Sequence, residues 1–389
     1  MKTRFIIPVV YISTYTLLAI AVYYVFYNQA NTCSGLFPSD IPLLISIIKP
    51  YINGYYYIPH PMTYLIIHCL SSLTGVTYQI AAPIVMTTAL LLTLYLVQKF
   101  LASTKNLPEQ KIRLLPVSLS LLFVIAIYVP FFNKHMYIGQ FSPNIWHSAT
   151  TLLLKPFALL SFIYFVIFLK NGEQFSWSNY VIGSMCLLIS TAVKPSFVIT
   201  FLPAVGLYLF LHRCKDSRLY TRVVLWSLPS IVLLAFQYLQ TYQSKGTPSY
   251  FHDKIILTNF GVMKLYTPSI TISVMLVLAF PLAVAIVGRR RVFDNLFLKL
   301  AWIVTILAFL QVAFLAEQQK FSQCAFGFGY VMALFLLYVF SMNEYLEWFR
   351  NKELVPGIVG KGIVSATYLL HMISGIYYFT VVIRGGSYL

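Results

Sequence analysis

An all-α, polytopic membrane fold is what the sequence predicts, and three observations predict it. The chain of 389 residues is 59% hydrophobic and only 10% charged. Its mean hydropathy is +0.79. Apolar runs of about 17 to 25 residues recur from end to end, each long enough to cross a hydrocarbon core of roughly 30 Å. Backbone groups in lipid must satisfy one another, so such runs fold as helices. No stretch is polar enough for a separate soluble unit, and residues 1–389 read as a single domain.

The first run, 5–27, follows Lys2 and Arg4. It starts like a signal peptide, but it is too long for an h-region and no small-residue cleavage site follows, so it is expected to stay as a helix. Residues 28–58 then form an outer loop. The next apolar stretch, 61–73, has about 13 residues, below the spanning length. If it spanned, the basic gap at Lys105, Lys111 and Arg113 would fall outside; as an interfacial or re-entrant helix, it leaves every later basic gap inside. Spanning helices are then expected near 77–101, 115–132, 149–169, 178–194, 196–212, 223–241, 268–288, 296–315, 325–345 and 363–383. With the first they number about eleven. The N-terminus is then cytoplasmic and the C-terminus external, in a plasma (inner) membrane. Pro195 divides two short helices.

The formal charge of +17 does not point to nucleic acid. The basic residues cluster in short gaps, such as Arg213/Lys215/Arg218/Arg222 and Arg289/Arg290/Arg291, and form no continuous patch. The five cysteines show no metal-ligand spacing and read mostly as small apolar fillers, with Cys33–Cys69 as a candidate disulfide on the outer face.

The topology sorts the ten acidic residues. Glu109, Glu173, Asp216, Asp294, Glu344, Glu347 and Glu353 fall inside and read as solvated loop charges. Asp40, Asp253 and Glu317 fall outside. Ionisable groups near membrane depth are costly and tend to be functional. Asp40 sits in Pro-Ser-Asp-Ile-Pro, where Ser39 or Asp40 can cap the helix over 41–52, and Asp40 reads as that cap, as a general base, or as both. The apolar face of that helix (Ile41, Leu44, Ile45, Ile48, Ile52) is suited to rest on the membrane. Glu317 either pairs with Lys320 three residues on or helps to orient a substrate. Asp253, beside His252 and Lys254, reads as a loop charge.

Two lysines precede proline inside apolar runs, Lys155 in "LLLKPFALL" and Lys194 in "STAVKPSFV". Each either snorkels to the interface or grips a phosphate at headgroup depth. "FSPNIWHSATT" adds Asn144, Trp146 and His147, and "YYYIPHP" adds three tyrosines and His60. Aromatic rings with polar rims suit sugar faces, although tyrosine and tryptophan also populate any membrane interface.

A first helix, an outer loop with Pro-Ser-Asp on a surface helix, and His-Pro before a short apolar helix together resemble the GT-C-fold glycosyltransferases. "FPSDIPLLI", "IPHPMTYLI", "PNIWHSATT" and "FLAEQQKF" followed by "FGFGY" look most like a bacterial cell-envelope group within them. The resemblance covers the layout of the whole chain, through short motifs. It implies a GT-C-like fold and sugar transfer from a polyprenyl-phosphate-linked donor to a glycan or lipid-linked acceptor at the outer face. It sets Asp40 as the catalytic aspartate of the first outer loop, the general base that deprotonates the acceptor hydroxyl, and His60 in the His-Pro. Lys155, Lys194 and His147 would then neutralise the donor phosphate, with Lys320, Asn144 and Trp146 around the substrate and Glu317 orienting it. Many relatives carry two acids in that loop where this chain has Asp40 alone. A single carboxylate is a poor Mg²⁺ or Mn²⁺ site, so the sequence requires no metal, and a divalent cation stays open. The competing readings are a transporter or flippase for a lipid-linked sugar and a polysaccharide polymerase or ligase. The first usually shows paired repeats with sites at the midplane, and no repeat is evident. The second would rely on outer arginines, and none is placed outside before Arg384.

Overall fold

The computed structural model describes residues 2–32, 35–103, 110–212, 217–242, 254–289, 293–349 and 357–386. Among these the chain forms fourteen α-helices, as expected of an all-α membrane protein. They are α1 (Lys2–Asn31), α2 (Ile41–Ile52), α3 (Met62–Thr74), α4 (Tyr78–Ser103), α5 (Gln110–Ser120), α6 (Ala149–Asn171), α7 (Trp177–Val193), α8 (Ser196–Leu211), α9 (Ser217–Tyr242), α10 (Gly261–Lys264), α11 (Ile270–Gly288), α12 (Leu296–Phe314), α13 (Gly327–Glu347) and α14 (Ile358–Ile383). A short antiparallel ribbon, β1 (Ile255–Leu257) with β2 (Leu315–Glu317), lies outside that expectation. Eight helices are long and apolar enough to cross a membrane: α1, α4, α6, α9, α11, α12, α13 and α14. The apolar helices α7 and α8 are shorter, with 17 and 16 residues. Helix α13 is apolar on all sides and buried along almost its whole length, as a central helix must be.

The expected helix over 115–132 is not formed. Helix α5 stops at Ser120, and residues 121–148 run to α6 without regular structure, mostly buried. Non-helical backbone is tolerated at membrane depth only where protein satisfies it. Here the partners are specific. Asn144 Nδ2 donates to the carbonyls of Leu121 and Val124, each at 2.8 Å. His371 Nδ1 donates to the Ile125 carbonyl at 2.6 Å, while its Nε2 accepts from Phe280 N–H at 3.3 Å. The Ile127 N–H donates to Leu276 O, and the Tyr128 N–H to Ser374 Oγ. Hydropathy cannot separate such a segment from a helix, because both are apolar.

Helix α14 presents His371, Ser374, Gly375 and Tyr378 to this segment, positions spaced to share one helix face. Gly375 is required there: a Cβ would overlap the Phe123 carbonyl oxygen. Prolines inside other helices are answered in the same way. Pro281 frees the Val277 carbonyl, which accepts from Tyr338 Oη at 2.6 Å. Pro203 frees Ile199, which accepts from Gln311 Nε2; Pro195, in the break between α7 and α8, leaves the Thr191 carbonyl near the end of α7 to accept from Gln237 Nε2.

Further differences concern α2, Glu344 and the cysteines. Ile41, Leu44 and Ile48 of α2 are buried against α1, α3 and α4, so this face packs on protein and not on lipid. Glu344 is no solvated loop charge: it is buried on α13 and accepts from Asn295 Nδ2 at 2.9 Å and from Trp348 Nε1 at 3.3 Å. Cys69 carries a free thiol, while its expected partner Cys33 lies outside the described residues, as does Asp253.

The two ends of the bundle differ. Lys170 at the close of α6, Arg218 and Arg222 at the start of α9, Lys299 near the start of α12 and Lys361 near the start of α14 lie at one end. Arg222 Nη1 there reaches the Gly172 carbonyl, and Lys170 lies over the Phe297 ring. The opposite end holds the site described below.

Gly375→Ala should lower stability by about 1–3 kcal/mol through overpacking. Gly206→Ala, in the interior of α8 with open space around it, should raise stability by about 0.5–1 kcal/mol. Thermal unfolding of the purified protein in detergent measures both, and equal melting temperatures for Gly375→Ala and the parent would contradict the packing described.

Candidate functional site

A cavity of about 1490 Å³ opens where α6, α8 and α13 begin and where α7, α9 and α12 end. It exceeds the usual small-molecule site of roughly 300–1,000 Å³. Six of the nine residues expected at a site line it: Asp40, His60, His147, Lys194, Glu317 and Lys320. They are far apart in sequence and come from the first loop, the segment before α6, the α7–α8 break and the ribbon.

Three of the nine do not line it. Asn144 is 2% exposed and spends its amide on the carbonyls at the end of α5. Lys155 is equally buried, donates to Asn144 Oδ1 at 2.6 Å and sits over the Phe335 ring at 4.7 Å. It holds the scaffold and does not reach the cavity. Trp146 packs among Phe26, Phe123 and Phe379, as core and not as a sugar platform.

Asp40 occupies the cap position of α2, yet its side chain makes no capping bond. Ser39 Oγ instead accepts from Ile41 N–H at 3.3 Å. The carboxyl is thereby left to the cavity. The Asp40 N–H donates to the His147 carbonyl at 3.0 Å, which ties the first loop to the segment before α6. Asp40 is open to the cavity but ringed by protein, and that burial pushes its pKa above the ordinary carboxylate value. The Lys194 charge and a hydrogen bond from Ser148 oppose the rise without cancelling it.

The two histidines respond in the other direction. Burial, then the Lys194 charge, lowers His60 to about 4 and His147 to about 3. His147 is therefore uncharged near neutrality and cannot act as the cation expected of it. Burial also lowers Lys194, to about 7, while the Asp40 carboxyl opposes the fall, so its ammonium depends on the anions around it. Lys194 Nζ donates to Thr150 Oγ1 at 3.2 Å and Thr151 Oγ1 at 3.4 Å, and stands 3.1 Å over the Phe328 ring. Glu317 on β2 pairs in register with Ile255 and accepts from Tyr242 Oη at 2.8 Å.

Sequence reasoning missed Ser148, Thr150, Gln237, Gln311 and Tyr242. Thr150 and Ser148 stood inside a stretch already noted, beside bulkier residues. Gln237 and Gln311 carried a usable signal, since an amide inside an apolar run must find a partner. Among the described residues, no group of three or more His, Cys, Asp or Glu side chains is disposed to hold a metal ion. The chain matches no family model, no curated protein and no solved structure.

The histidines carry a pH signature. Their neutral forms are favoured in the fold, so the unfolded chain binds more protons between the ordinary value of 6.5 and the lowered values of about 4 and about 3. Their contribution is present above pH 6.5 and is lost as the pH falls, with a slope of at most about 1.4 kcal/mol per pH unit for each. Asp40 acts oppositely, since its raised pKa favours the protonated fold. His60→Gln should therefore lose less stability than the parent between pH 7 and pH 5. Melting temperatures at the two values test this, and an unchanged difference would contradict it.

Proposed function

We propose that the protein transfers a sugar from a polyprenyl-phosphate-linked donor to an acceptor hydroxyl at the outer face of the plasma membrane, with Asp40 as general base. The observation that carries this reading is the meeting of Asp40 and Lys194 in one cavity that also has an apolar wall, formed by Ile199, Ile231, Leu234 and Ala235. A carboxylate beside an ammonium serves a reaction in which a proton leaves one reactant while negative charge grows on another.

The acceptor oxygen bonds the anomeric carbon as its proton passes to the Asp40 carboxylate. The bond from that carbon to the phosphate oxygen breaks, and its electron pair leaves with the lipid phosphate. In-line displacement inverts the anomeric centre. Lys194 and Lys320 meet the charge left on the phosphate. The raised pKa brings Asp40 closer to the pH at which it works, which improves a general base. Glu317, held by Tyr242, orients acceptor or donor, and His60 and His147 hydrogen-bond as neutral rings. Tyr56, Tyr57 and Tyr64 line the same space and offer faces to a sugar.

Asp40→Asn keeps the size of the side chain and breaks no capping bond. Turnover of purified variant with a polyprenyl-phosphate sugar should fall by about 10²–10⁴-fold at unchanged thermal stability. Near-normal turnover would remove Asp40 from the chemistry.

The basic end of the bundle faces the cytoplasm by the positive-inside rule. A membrane-impermeant thiol reagent applied to intact cells should modify Tyr55→Cys, at the cavity end and 81% exposed, and spare Ser103→Cys at the close of α4. The reverse pattern would put the cavity in the cytoplasmic leaflet.

A further inference from the structure

We infer that the C-terminal end of α14 positions the Asp40 carboxyl. It latches the first outer loop through Gly385 and Phe37 on one side, and the segment before α6 through Tyr378 on the other. That this position serves sugar transfer rests on the transfer reading; the latch itself does not.

Helix α14 ends in two backbone bonds that turn the chain back on itself. The Gly385 N–H donates to the Val382 carbonyl at 3.0 Å, and the Gly386 N–H to the Val381 carbonyl at 2.9 Å. This pattern needs a left-handed residue just past the helix, and Gly385 has φ +80°. Turned in this way, Gly385 offers its own carbonyl to the first loop, where the Phe37 N–H donates to it at 3.0 Å. The side chains fit as closely. A Cβ on Gly385 would come within 2.9 Å of the Phe37 ring, which also stands edge-on to Tyr24 of α1.

Phe37 shows that the loop is held there. Its φ is +51°, in a region that a bulky residue seldom enters. Pro38 follows it, and proline drives its predecessor toward extended backbone. Neither residue favours this conformation, so surrounding contacts impose it, and such positions collect at functional sites. Asp40 lies three residues on. Between the two, the ring of Pro38 fixes its own φ, and Ser39 Oγ accepts from the Ile41 N–H. Little freedom remains between latch and carboxyl.

The second hold reaches Asp40 from the other side. Tyr378 Oη, about two turns before Gly385, accepts from the Trp146 N–H at 3.5 Å. The next residue is His147, whose carbonyl accepts from the Asp40 N–H at 3.0 Å. Asp40 is thus held between two chain segments that share one support. Its side chain makes no capping bond to α2, so its orientation comes from the backbone, and the backbone is what α14 holds. A general base must stand within about 0.5 Å of its productive place. A remote change that shifts it by about 1 Å can cost about a hundredfold in rate.

Two variants break the latch in different ways. Gly385→Ala puts a methyl against the Phe37 ring and strains the turn. Phe37→Gly removes the ring and frees the backbone while keeping the N–H. Hydrogen exchange of the purified full chain in detergent, followed by mass spectrometry, reads the latch without any substrate. Amides of residues 36–45 should exchange at least about tenfold faster in both variants, with those of α11 and α13 unchanged. Turnover with a polyprenyl-phosphate sugar should fall by about ten- to a hundredfold at unchanged donor KM, since a misplaced base lowers kcat and not binding. Phe37→Tyr keeps ring and N–H and should match the parent in both readouts. So should Gly362→Ala, on α14 in open space. Exchange over 36–45 as slow as in the parent in both variants would overturn the latch. Faster exchange with full turnover, where Asp40→Asn is inactive, would overturn the positioning role. If Asp40→Asn is itself active, the transfer reading fails and the latch stands. Turnover lost together with faster exchange in α11 and α13 would overturn positioning in favour of a general loss of fold.

Discussion

The structure depends on one constraint: residues 121–148 run through the protein without a helix, and the backbone polar groups of their buried part need partners away from water. Asn144, His371, Ser374 and the Leu276 carbonyl supply those partners. Gly375 gives the segment room beside α14. The same logic explains polar side chains elsewhere in the bundle. Gln237, Gln311 and Tyr338 each serve a carbonyl that a proline or a helix end has freed on a neighbouring helix.

This segment also builds the cavity. Its last residues, His147 and Ser148, hold Asp40 by a backbone hydrogen bond and a side-chain hydrogen bond. Two residues on, Thr150 meets Lys194. Lys155, one turn further along α6, fastens Asn144 and so fixes the geometry from below. Scaffold and site are therefore one continuous stretch, with Asn144 and Lys155 on its structural side and His147, Ser148 and Thr150 on the cavity side. A change at either group will be felt at the other, and stability must be measured beside activity.

Charge is distributed in keeping with this. The basic gaps lie at the end away from the cavity, where they face solvent and aromatic rings. At the cavity end, Asp40, Lys194, Glu317 and Lys320 line the site. Charges of both signs thus meet in one cavity, where burial shifts Asp40 and Lys194 away from their ordinary values.

Much of this was legible in sequence. Long apolar runs require helices in lipid, whatever their neighbours, so α1, α4, α6 and α9 through their later counterparts could be read from composition alone. The short stretch at 61–73 was legible as a helix too brief to cross, and appears as α3. Asp40, Lys194 and Glu317 were legible as charges that a membrane protein does not carry idly. Tertiary structure alone decided the rest. The run at 115–132 is as apolar as a helix, and partners from Asn144, α11 and α14 make its irregular path tolerable. Lys155 and Lys194 have the same local motif, Lys-Pro in an apolar run, yet one is sealed against Asn144 and the other opens to the cavity. No local pattern separates them, because what a buried ammonium does is set by the groups that other helices bring to it.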